Sequence, residues 1–101
     1  MRLGQVIGRV VLNQKDPAFV GDRWLVVSPL SKGQMHTGEM LPLSDSPSVV
    51  VYDDLGAGVN DVIGYIEGAE ATAPFKKPTP IDSYNAAIID TINYKGSSIK
   101  L

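Results

Sequence analysis

The sequence predicts an all-β domain, and three observations carry that prediction. The apolar residues gather in short β-branched runs, and each run is bounded by Gly, Pro, Asp or Ser. The composition, 44% hydrophobic and 20% charged over 101 residues, is that of a globular chain long enough for one small core, so residues 1–101 form a single domain.

The runs VIGRVVL (6–12), WLVV (24–27), VVVY (49–52) and VIGYI (62–66) are the predicted strands. Residues 28–48, SPLSKGQMHTGEMLPLSDSPS, are rich in Gly, Pro and Ser and predict a long connection. Residues 72–80, TAPFKKPTP, hold three prolines and predict an extended surface segment. At the end, Asp82 is a good N-cap for a short helical turn over 83–87, the β-branched stretch 88–94 predicts a closing strand, and 95–101 a flexible tail.

The strands are apolar on both faces. Leu25 and Val27 point opposite to Trp24 and Val26, and Val50 and Tyr52 opposite to Val49 and Val51. A domain this small buries roughly 60–65% of its chain surface, too little to cover both faces of several strands. Loops or a partner subunit can supply the missing cover, and association of identical subunits is the simpler expectation.

The stretch DDLGAGVND (53–61) sets two glycines among Asp53, Asp54 and Asp61 and invites three chemical readings. As a phosphate cradle it lacks the third glycine of GxGxxG, a Walker lysine and a following helix, since VIGYIEG is strand-like. As a calcium loop it lacks alternating oxygen ligands, because adjacent Asp53 and Asp54 point to opposite faces of a strand. As a set of acid/base carboxylates it is better described as solvated residues flanking a tight turn between two strands.

His36 is the only histidine and falls in the polar connection. A triad of Ser28, His36 and Asp45 can be drawn on paper, but no GxSxG elbow supports a hydrolase, and an exposed loop histidine is the plainer description. No cysteine is present, which removes disulfides, thiolate metal sites and Cys nucleophiles. No enzyme activity, cofactor or metal is expected. Trp24, Phe19 and the four tyrosines could form a base-stacking platform, but a formal charge of −2 and no basic cluster beyond Lys76 and Lys77 speak against nucleic acid. The opening MRLGQVIGRVVLNQK lacks the unbroken apolar core of a signal peptide, and no run approaches the ~20 apolar residues of a membrane span. The expectation is a soluble cytoplasmic protein without a membrane partner.

Three motifs, in order, resemble one family. They are RLGQVIGRVVLNQKDPAFVGDRWLVVSPL, VVVYDDLGAGVNDVIGYIEG and PIDSYNAAIID, and together they cover essentially the whole chain. The sequence is similar to the EutN/CcmL family, the small vertex proteins of bacterial microcompartments. The resemblance implies a five-stranded, OB-like β-barrel that assembles into a homopentamer, caps the five-fold vertices of a polyhedral shell and docks against hexameric shell proteins. It implies no catalysis. Gly56, Ala57, Gly58, Val59 and Asn60 are then expected at the ring axis or against a neighbouring subunit, because small residues allow close backbone packing. Asn60 stands where the family commonly has Gly, and Asn tolerates left-handed backbone. Residues 68–72, GAEAT, replace a run that often ends in Arg. The alternative function is an OB-fold binding module for a small ligand or oligonucleotide.

Overall fold

The computed structural model describes residues 1–10, 23–68 and 83–101. Five strands close a barrel: β1 (Arg2–Val10), β2 (Trp24–Pro29), β3 (Val49–Tyr52), β4 (Val62–Glu67) and β5 (Ser83–Ile88). Their order around the barrel is β1-β2-β3-β5-β4, and β4 returns to β1. The pairings are antiparallel except that of β3 with β5, which is parallel and made at Tyr52 and Tyr84. The expected all-β barrel is thus present.

Strand alternation sorts the two apolar faces. Leu25, Val27 and Val51 point inward and meet Val6, Ile63 and Tyr65 in a core whose members are at most 1% exposed, with Val49 packed against it. Each fully buried aliphatic side chain there favours folding by about 1.5–3 kcal/mol. Gly4 is required inside, because a Cβ at this position would collide with Val27 Cγ1 and approach Tyr65 Cε1 to 3.0 Å. A bulge in β1 between Val6 and Gly8 changes the register, so that Gly8 pairs with Val26 and Val10 with Trp24. The outer face of β1, β2 and β3 therefore carries Gly8, Val10, Trp24, Val26, Val50 and Tyr52. Trp24 meets Tyr52 edge to face at 5.3 Å, and Val50 remains 49% exposed.

The structure corrects four expectations. Residues 83–87, expected as a helical turn, belong to β5, because pairing along β4 outweighs the local capping signal; Asp82 itself lies outside the described residues. The expected closing strand 88–94 is interrupted at residues 89–90, and its latter part is β6 (Thr91–Tyr94) of a separate hairpin. Residues 95–101, expected as a flexible tail, supply that hairpin's turn and its second strand, β7 (Ser97–Lys100). The connection 28–48 holds α1 (Lys32–Thr37), which starts with a Ser31/Gln34 capping box and ends at Gly38 with φ 80°. Ile99 of β7 packs where Gly38 has no side chain, since a Cβ there would lie 3.1 Å from its Cγ2. Val11, Leu12, Phe19 and the proline-rich segment 72–80 lie outside the described residues.

Candidate functional site

The connection from β3 to β4, residues 53–61, is not a tight hairpin, because β5 lies between these two strands. It crosses one end of the barrel and is organised around Asp53. Strand β3 ends there, and the carboxylate turns inward until its side chain is 0% exposed. Oδ1 accepts from Leu55 N at 3.0 Å and Asn85 Nδ2 at 2.9 Å. Oδ2 accepts from Gly56 N at 3.2 Å, Ala57 N at 3.0 Å and Arg23 Nε at 3.1 Å. Arg23 also donates through Nη2 to Ala57 O at 2.6 Å, so one guanidinium grips both the carboxylate and the loop.

Burial pushes the Asp53 carboxyl up, and the hydrogen bonds from Asn85, Leu55, Arg23 and Ala57 more than reverse this, so it lies below the ordinary carboxylate value. Three successive amides, 55 to 57, thus converge on an anion as they would on a phosphate, but the anion is the chain's own Asp53. The cradle is filled from within.

The second half of the loop is equally tied. Gly58 N donates to Asp61 Oδ2 at 2.8 Å, Asp61 N to Gly58 O at 3.1 Å and Asn60 N to Val6 O at 2.8 Å. Gly56, at φ 89°, and Asn60, at φ 78°, occupy the left-handed region. Ala57 is 1% exposed and plugs the core, so its side chain faces its own barrel. Leu55 and Val59, 48% and 53% exposed, are the apolar groups the loop turns outward.

The other candidates stay apart. Ser28 is buried in β2, Asp45 is exposed, and His36 Nδ1 lies 3.3 Å from Ser97 Oγ instead. Asp54 is exposed as expected, whereas Asp53, expected to be solvated, is buried because its carboxylate is held by Arg23, Asn85 and the loop amides. Among the described residues no three His, Cys, Asp or Glu groups converge as metal ligands, and no helix is long and apolar enough to cross a membrane. Sequence reasoning missed Arg23 and Asn85. An Asp at a strand end before a glycine loop hints at an Asx-type turn, but nothing local marks donors about 30 residues away in either direction.

Fold and loop together define a small closed-barrel domain with an apolar outer face and an internally braced glycine loop. The chain belongs to the EutN/CcmL family: the family model described as ethanolamine utilisation protein EutN/carboxysome matches residues 1–90. The chain is 33% identical over 94 residues to the bacterial microcompartment shell vertex protein PduN of Salmonella typhimurium, covering 92% of this chain and 99% of that one. It is 30% identical to the carboxysome shell vertex protein CcmL of Gloeobacter violaceus, over 92% of this chain and 86% of that one. Among solved structures, the GrpN pentameric microcompartment shell protein of Rhodospirillum rubrum superposes with a TM-score of 0.75 at 31% identity, covering 93% of this chain and 99% of that one.

Proposed function

We propose that this protein is a structural vertex component of a bacterial microcompartment shell, acting as a homopentamer and carrying out no catalysis. The observation that carries the reading is the end-to-end match to a vertex protein, with 99% of PduN covered. A sheet of hexagonal tiles closes only with five-fold defects, and a cyclic ring of five with heterologous interfaces fills one. On this reading the rim of the ring docks into hexameric shell proteins, and the protein resides in the shell inside the cell. It needs no cofactor.

Val50, half-exposed on the outer face of β3 beside Trp24 and Tyr52, which are themselves buried, supports burial against a neighbour. We assign the loop Gly56, Ala57, Gly58, Val59 and Asn60 to a subunit contact, with Ala57 contributing backbone while Val59 contributes its side chain. Native mass spectrometry tests the reading. A five-subunit mass is expected, and a monomer at micromolar concentration would refute it.

A further inference from the structure

The loop that crosses the barrel end combines two properties. Its amides at positions 55, 56, 57, 58, 60 and 61 all donate within the chain. Its outward side chains include two half-exposed aliphatic groups, Leu55 and Val59. A surface of this kind can be desolvated against another protein without orphaning these backbone donors, which would otherwise oppose burial. Its shape, moreover, is set before any encounter, so association does not bear the full ordering cost of a nine-residue segment.

We propose that Arg23 and Asp53 are positioning residues for subunit association, holding the loop in the one shape that presents Leu55 and Val59 to the next copy of the chain. The proposal rests on the reading of this loop as a subunit contact. The occupant is a second copy because the uncharged tips carry no feature of a charged ligand, and because a relative described as pentameric covers 93% of this chain at 31% identity. Arg23 is the informative member. It lies just before β2, its side chain is 38% exposed, and it contributes no side chain to the core. Its fork spans Asp53 Oδ2 and Ala57 O, a two-point grip that the single ammonium of Lys cannot reproduce.

The test follows the oligomer of the full-length chain by native mass spectrometry and light scattering across a dilution series, with thermal melting and circular dichroism on the same samples. Arg23→Ala is expected to keep the barrel's dichroism while the assembly midpoint rises about tenfold or more in concentration, and Arg23→Lys to fall between it and the parent. Val59→Asp is expected to abolish the ring. If Val59→Asp disrupts the ring and Arg23→Ala leaves the midpoint unchanged, the loop is a contact but the positioning role is wrong. If Val59→Asp leaves the midpoint unchanged, the contact reading fails and the proposal with it. Should Arg23→Ala not fold, Arg23→Lys decides: an unchanged midpoint overturns the proposal, and a rise of about threefold or more supports it.

Discussion

Arg23 and Asp53 stand 30 residues apart in sequence and 3.1 Å apart in space, Nε to Oδ2, joining the start of β2 to the end of β3. The same pair is bonded through its backbone, Asp53 N donating to Arg23 O at 2.9 Å. The carboxylate is fully enclosed while the guanidinium reaches solvent, so the negative charge is the buried partner and depends on its donors.

Acid should therefore loosen the fold through Asp53. Its folded carboxyl titrates below its unfolded value, so the folded state binds fewer protons and stability rises with pH in that window. The contribution is complete above the unfolded carboxylate value, about 3.9, and is lost as pH falls through the folded one. Urea titrations at a series of pH values should show this loss, and Asp53→Asn should remove that component while lowering stability at neutral pH by about 3 kcal/mol.

Gly4→Ala should destabilise the barrel by about 2 kcal/mol. The added methyl meets Val27 Cγ1, with Ser28 O and Tyr65 Cε1 each 3.0 Å away, so backbone and ring must both shift. Chemical denaturation checks this, and an unchanged midpoint would mean that β1 can slide away from Tyr65.

Tyr65→Phe should be neutral or stabilising, by up to about 1 kcal/mol, although the residue is fully buried. Among the described residues its hydroxyl has no hydrogen-bond partner, and the enclosure pushes the phenol pKa up. Loss of stability in a melting experiment would reveal a partner for that hydroxyl, such as a buried water.

Asn60→Gly should preserve or raise stability, whereas Asn60→Val should cost about 1–2 kcal/mol. The residue sits at φ 78°, where a β-branched side chain is strained, and its amide must still reach Val6 O. Comparing the two variants by thermal unfolding isolates backbone strain from side-chain chemistry.

Much of the barrel was legible from local pattern. The run 49–52 is β3 to the residue, and the opposed faces of 24–27 became the inner Leu25 and Val27 and the outer Trp24 and Val26. Strand alternation is a property of the backbone, and burial only selects which face turns inward. The capping box at Ser31 and Gln34, with Gly38 beyond it, was a readable helix signal hidden in a segment dominated by Gly, Pro and Ser.

What the sequence determined alone is four of the barrel's five β-forming segments, the smallness of the glycine loop and, through three ordered motifs, the family. Tertiary structure decided what depends on pairing between distant residues: that 83–88 joins the barrel as a strand, that 97–100 closes a hairpin on α1, and that Ala57 faces the core. It also decided the fate of DDLGAGVND. Its amides do gather around an anion, and the anion is Asp53, because Arg23 and Asn85, from opposite directions along the chain, make a buried carboxylate more favourable there than a solvated one.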